Sequence, residues 1–265
     1  MKFGIKEVVK KILCLKLVRF FLTLFHKLGA TYVSVGDTNY SLIRLGWETV
    51  DIVDADYICD FRSEPLPFTD NSIDIINSSH VIEHLPLESA LHFYNECYRV
   101  LKPGGIFRIS TPDASLLVQH YLAEDVTFFM EADGSYIFSR IKQGDLPPEA
   151  LLLHNRLMGW LASYSGRVDS AGGPLVSKHE LDEKIKTLSI EGLCEWAVSK
   201  LEEDRSYAHV NVYTKERLIR ELTSVGFKRI QVSSYRESLS SVIRRDKIDK
   251  PKHRSYSVYL DVVKD

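Results

Sequence analysis

Only four cysteines occur in the 265 residues, and Cys14, Cys59, Cys97 and Cys194 stand too far apart to form any CxxC pair. That spacing excludes a Cys-based metal site and a disulfide framework. It fits free thiols in a reducing compartment, with Cys59 and Cys97 falling in apolar patterns as small core residues. No uncharged run reaches the length of a bilayer span, because Lys16 and Arg19 break the apolar stretch between Ile5 and Leu28. Lys16 also interrupts the segment a signal peptide would need, and no small-residue cleavage site follows. No basic stripe crosses the rest of the chain, which argues against a nucleic-acid partner. The 14 glycines nowhere form G-x-G-x-x-G, so the phosphate cradle of a dinucleotide site is missing too.

What is present is an ordinary folded composition, 45% apolar and 26% charged, of a length for one large or two small domains. The net charge of −2 hides an uneven distribution. Residues 1–30 carry seven basic side chains and one acidic one, whereas residues 51–90 carry nine Asp or Glu against the single Arg62. The basic head alternates apolar residues and Lys or Arg at helical spacing over residues 5–28. It reads as an amphipathic helix lying either against the domain or on an anionic lipid surface. A cytoplasmic location, with peripheral membrane contact through that helix, is the expectation.

After Gly29 the pattern becomes short apolar runs separated by polar turns. Strands are expected at TYVSV (31–35), WETVDIV (47–53), ADYICDF (55–61), SIDIINSS (72–79) and GIFRIST (105–111). A helix is expected at SALHFYNECYRVL (89–101), with Leu91, Tyr94, Tyr98 and Leu101 on one side, stopping at Lys102-Pro103-Gly104-Gly105. Strands alternating with helices or short connections imply an α/β fold, Rossmann-like, with a mainly parallel sheet. In such sheets the ligand sits beyond the carboxyl ends of the strands. Asp51, after the second strand, stands where a carboxylate takes ribose hydroxyls, and Asp60, after the third, could accept from an adenine amino group. An acidic pocket without a phosphate cradle suits a cationic adenosine cofactor, of which S-adenosylmethionine is one.

At this point PLPFTDNSIDIINSSHVIEHL (65–85), followed by ECYRVLKPGGIFRISTPD (96–113), resembles the class I S-adenosylmethionine-dependent methyltransferases. The nearest likeness is to bacterial methyltransferases associated with surface-polysaccharide biosynthesis. VGD…GWETVD (35–51) and LIRELTSVGFKRIQV (218–232) fit the same pattern, so the likeness covers roughly residues 31–120 and 205–265. It implies that Gly36 and Asp37 lie in the cofactor loop, that Asp51 and Ile52 meet the ribose, and that Asp60 and Phe61 lie beside the adenine. Ser79 and His80 then follow the fourth strand near the methionine part and the acceptor. The implied activity is methyl transfer to a hydroxyl of a sugar or glycan-linked small molecule. The family has a second glycine soon after the first. Here Asp37 and Thr38 stand instead, so a methyltransferase-like binding or scaffold protein with a degenerate cofactor loop is the alternative.

His80-Val-Ile-Glu83-His84 matches H-x-x-E-H, in which two histidines of a helix bind zinc. Pro86 leaves about one helical turn and no later Glu marks a third ligand, so no metal is expected. Glu83 or His84 then supports the turn, or His80, less readily His84, lines the acceptor pocket. Removal of a hydroxyl proton during methyl transfer suits an imidazole. His80 is the first candidate base, with Asp113 orienting or assisting it; His209, at a place comparable to that in related methyltransferases, is the second.

Residues 114–205 exceed what the sheet needs and form an expected helical insertion after the fifth strand, a candidate lid over the strand ends. The domain division is thus a basic helix at 1–30, a sheet domain at 31–113 and 206–265, and the insertion between. Helices are expected at 115–125, 147–164 and 177–205. KERLIRELTSV is expected to form a further helix, and KRIQVSSY (228–235) and SYSVYLDVV (255–263) the last strands, with an antiparallel pair. The run RRDKIDKPKHR (244–254) reads as a charged, exposed loop.

Overall fold

The β-branched runs of the sequence form the strands, and polar turns end them. In the computed structural model, which describes residues 29–36, 45–133, 136–162, 175–201 and 208–265, the strands are β1 (Tyr32–Val35), β2 (Glu48–Asp51), β3 (Tyr57–Ile58), β4 (Ile73–Ser79), β5 (Leu101–Pro112), β6 (Arg229–Ser233) and β7 (Ser257–Val263). The expected basic helix of residues 5–28, together with Asp37 and Thr38, lies outside the described residues. The sheet order is β3-β2-β1-β4-β5-β7-β6. β1 to β5 pair in parallel and β7 runs antiparallel to both its neighbours. This is the Rossmann-like, mainly parallel sheet with one antiparallel C-terminal strand that the alternation implied. Its central residues Val35, Val50, Ile76, Phe107 and Ile109 are fully buried, as strands covered on both faces require.

Helix α1 (Leu87–Val100) lays Ala90, Phe93, Tyr94, Cys97 and Val100 into the main core, with Leu91 and Tyr98 half-buried beside them. It ends where Leu101-Lys102-Pro103 turns extended. Most of the insertion is helical: α2 (Ala114–Leu122), α3 (Val126–Asp133), α4 (Tyr136–Gln143), α5 (Leu153–Leu161), α6 (Lys178–Thr187) and α7 (Ile190–Val198). The stretch expected to be helical at 177–205 forms two helices over its described residues, because Ser189 caps a new start by accepting from the Gly192 amide at 3.1 Å. Leu117, Leu157, Leu161 and Leu193 pack there into a second core, which also takes Tyr256 from the sheet domain. α8 (Lys215–Ser224) starts at Thr214, whose side chain accepts from the Arg217 amide, and it buries Leu218 and Leu222 in the main core.

The run at 244–254 is only in part the exposed loop expected: Arg244, Arg245, Lys247, Lys252 and Arg254 are exposed. α9 (Ser241–Asp246) occupies its start, and Ile248, Asp249 and His253 are buried. Two long-range contacts explain this. The Trp47 indole donates to Asp246 Oδ2 at 3.0 Å. Arg108, wholly buried in β5, reaches Asp249 Oδ2 at 2.6 Å, Asp261 Oδ1 at 3.2 Å and the Ser234 carbonyl at 2.9 Å. A buried guanidinium needs paired carboxylates, and the loop supplies one of them. Among the described residues no helix is long and apolar enough to cross a membrane.

Candidate active site

The chain leaves β1 toward β2 and β3 on one side, and β4 lies on its other side, so β1 and β4 bracket the topological switch point of the sheet, where ligands of such folds bind. An open cleft lies there. Gly36, Asp51, Ile52, Phe61 and His80 line it together, and Arg62, Val81, His84 and Leu85 complete its wall.

Gly36 ends β1 with φ +73°, and a Cβ there would stand 2.4 Å from Val81 Cγ2. Glycine is therefore required twice, for the left-handed backbone and for the close passage of Val81. At the end of β2, the Ile52 amide donates to Asp51 Oδ1 at 2.7 Å, which holds the carboxylate at the cleft.

His80 follows β4 with φ +57°, an uncommon conformation for a side-chain-bearing residue, though histidine is among those that adopt it. Its amide donates to the Ser110 carbonyl at 2.9 Å, which carries the chain out of the sheet and into the turn Ile82–His84. Its ring is held on several sides. Nε2 is 2.8 Å from Ser257 Oγ, and Nδ1 is 3.2 Å from Glu83 Oε1. His253 stacks on it at 3.5 Å between centroids, and Tyr256 meets it edge-on at 5.7 Å. Glu83 is wholly buried, and its Oε2 accepts from Thr111 Oγ1 at 3.1 Å. Burial works against its charge, but His80 first, and then His84 and His209, hold its carboxyl well below the usual range. Burial, with the neighbouring His80, pushes His253 down to about 2.

Four expected site residues stand off the cleft wall. Asp60 is turned into a two-pronged pair with Arg62, 2.7 Å to both Nε and Nη2, and that pairing lowers its pKa against slight burial. It is therefore Arg62, not Asp60, that reaches the cleft. Asp113 caps α2, accepting from the Ser115 and Leu116 amides, and burial raises its pKa. Its Oδ1 takes both amides of the helix start, and Asp113 is not among the residues that line the cleft with His80. Ser79 Oγ accepts from Ser110 Oγ at 3.0 Å inside the sheet. His209 lies behind His84 at 4.9 Å between centroids, with Nδ1 2.8 Å from the Trp160 carbonyl, and burial pushes it down to about 4.

The acidic block is also largely committed elsewhere. Asp56 accepts from Thr49, Asp70 pairs with Arg99, and Asp74 pairs with Lys102. Of the nine carboxylates only Asp51 lines the cleft, so the electrostatic case for a cationic ligand reduces to that residue. His253 was hidden in the sequence by the charges around it. Arg62 was visible only as an isolated positive charge in an acidic stretch.

The methyltransferase domain family matches residues 20–109. A probable S-adenosylmethionine-dependent methyltransferase of Mycolicibacterium smegmatis is 48% identical over 48 residues, 18% of each chain. A ubiquinone/menaquinone biosynthesis C-methyltransferase of Pseudoalteromonas translucida is 32% identical over 97 residues, 34% of this chain and 37% of that protein. The chain thus matches little more than a third of these relatives' length at most. A solved Thermotoga maritima structure, described as a SAM-dependent methyltransferase and possible histamine N-methyltransferase, is 14% identical with a TM-score of 0.39, covering 97% of this chain and 96% of that one. Residues 20–109 thus match the methyltransferase domain model, and the described part of that stretch lies in the Rossmann-like sheet whose switch point carries the cleft.

Proposed function

We propose that the chain is an active S-adenosylmethionine-dependent methyltransferase that methylates a hydroxyl of a sugar or glycan-linked acceptor. The observation that carries this reading is the meeting of Gly36, Asp51, Ile52, Phe61 and His80 in one cleft at the β1/β4 switch point. The residues present fit the cofactor. Asp51 supplies acceptor oxygens for ribose hydroxyls, and Ile52, Phe61 and Leu85 give apolar walls for an adenine. The glycine at 36 lets the ligand approach the backbone.

When bound, S-adenosylmethionine supplies an activated methyl group, whose carbon–sulfur bond breaks as the acceptor oxygen bonds to it, releasing S-adenosylhomocysteine. His80 takes the hydroxyl proton at Nε2, the atom that otherwise meets Ser257 Oγ. Glu83, kept ionised behind the ring, offsets the positive charge His80 gains. Trp160 from the insertion packs on Tyr256 at 4.5 Å between centroids, beside this histidine group, so the insertion borders the acceptor side as a lid would.

Calorimetry with S-adenosylhomocysteine tests the cofactor half. Wild-type protein should bind, and Asp51→Asn should weaken binding by about 10–100-fold, the worth of hydrogen bonds to a charged acceptor. Absence of binding at millimolar ligand favours the scaffold reading instead. The match to a quinone-pathway C-methyltransferase supports a second reading in which the methyl goes to carbon. Fragmentation of the methylated product separates the two.

A further inference from the structure

We propose that Glu83, His84 and His209 form a binding site for a divalent transition-metal ion just behind the cleft wall at His84. These three residues each offer one ligand atom, all within 4.8 Å of one another. A bound ion with metal–nitrogen and metal–oxygen distances of about 2.0–2.2 Å would draw them roughly 1 Å closer. Glu83 and His84 come from the turn after β4, whereas His209 comes from the segment before α8. The two pieces are pinned to each other, because the Glu83 carbonyl accepts from the Val210 amide at 2.8 Å and the Asn211 amide at 3.1 Å. The cluster is therefore fixed by backbone, not by a chance meeting of side chains.

Two further observations favour a ligand over a purely structural cluster. Glu83 Oε1 is buried with no hydrogen bond assigned to it, and its contact with His80 Nδ1 at 3.2 Å is an ion-pair contact alone. His84 Nδ1 faces the Ala208 carbonyl at 3.2 Å and His209 Nδ1 faces the Trp160 carbonyl at 2.8 Å. A ring that donates Nδ1–H to a carbonyl carries its lone pair on Nε2, and this is how outer partners orient metal-binding imidazoles.

Two imidazoles and one carboxylate with positions left open suit ions such as zinc, cobalt, iron or manganese. The H-x-x-E-H run matches a zinc-binding spacing, but Pro86 cuts its helix to about one turn and no later Glu marks a third ligand, so no metal was expected there. The fold keeps Glu83 and His84, replaces His80 by His209 from far along the chain, and leaves His80 to contact Glu83 from outside. Since His84 lines the cleft, the ion would act as a Lewis acid on the acceptor hydroxyl, lowering its pKa before His80 receives the proton. That role, unlike the binding itself, rests on the methyltransferase reading.

Cobalt titration of the tag-free, chelator-stripped full chain tests the site. The expected result is one equivalent of Co2+ giving a saturable visible spectrum of a four- or five-coordinate ion, displaced by Zn2+. His209→Ala and, separately, His84→Ala should weaken Co2+ binding by more than about 100-fold, with unchanged circular dichroism showing that each variant is folded. Absence of saturable binding, or wild-type affinity in both folded variants, overturns the proposal. Calorimetry with S-adenosylhomocysteine on the same metal-free protein keeps the two readings apart. Cofactor binding without cobalt binding defeats the metal site alone, and cobalt binding without cofactor binding defeats the methyltransferase reading alone.

Discussion

Replacing His80 by Ala is expected to leave cofactor affinity within about twofold while lowering methyl transfer by about 10²–10⁴-fold, the usual contribution of a positioned general base. His80 enters the cleft from β4 with both ring nitrogens engaged, one toward buried Glu83 and the other toward Ser257. Among the described residues His84 is the other histidine on the cleft wall, and His84→Ala run in parallel separates its contribution from that of His80. The alanine variant alone is ambiguous, because the left-handed backbone at φ +57° tolerates few residues. His80→Asn is the informative partner, since asparagine adopts that conformation readily but is no base. Initial rates with a panel of methyl glycosides and nucleotide-linked hexoses, read by product mass spectrometry, check both. Wild-type turnover in His80→Asn would remove His80 from the chemistry.

Arg108→Met is expected to destabilise the fold by about 3–5 kcal/mol, because it leaves Asp249 and Asp261 buried and without their cation. The Arg108 side chain is 1% exposed and its two partners are 3% and 0% exposed, so water cannot take over. The loss would be felt at two places. Asp249 also accepts from the Arg236 amide at 2.7 Å, and Asp261 accepts from the Leu239 amide, so the segment between β6 and β7 is organised around the same group. Urea unfolding measures the effect. Neutralising the partners together with the arginine, as Arg108→Met with Asp249→Asn and Asp261→Asn, should recover part of it. A loss below about 1 kcal/mol for the single variant would show that the pair is solvated.

The residues that were legible in the sequence are those whose environment is local. β4, the turn at Pro86 and α1 follow from an apolar run, a breaker and a helical period, and the observed bounds differ from the expected ones by a residue or two. Asp51 and His80 were readable because a parallel sheet places its ligand at strand ends. Asp60 and Asp113 occupy strand ends too, but each found a nearer partner, Arg62 in one case and the first amides of α2 in the other. A carboxylate two residues from an arginine, or one residue before a helix, is claimed locally first. The charged run at 244–254 misled for the opposite reason: its partners, Arg108 and Trp47, are more than a hundred residues away, beyond any window of periodicity. The same distance separates Glu83 from His209. Only the fold shows that the two share a site.

The central claim is that the cleft between Gly36 and His80 holds the cofactor, and an experimental structure of the full chain with S-adenosylhomocysteine tests it most directly. The account predicts a ribose on the Asp51 carboxylate, an adenine against Ile52 and Phe61, and a homocysteine sulfur on the His80 side of the cleft. A ligand seated elsewhere, or a cleft left empty at saturating S-adenosylhomocysteine, would contradict it.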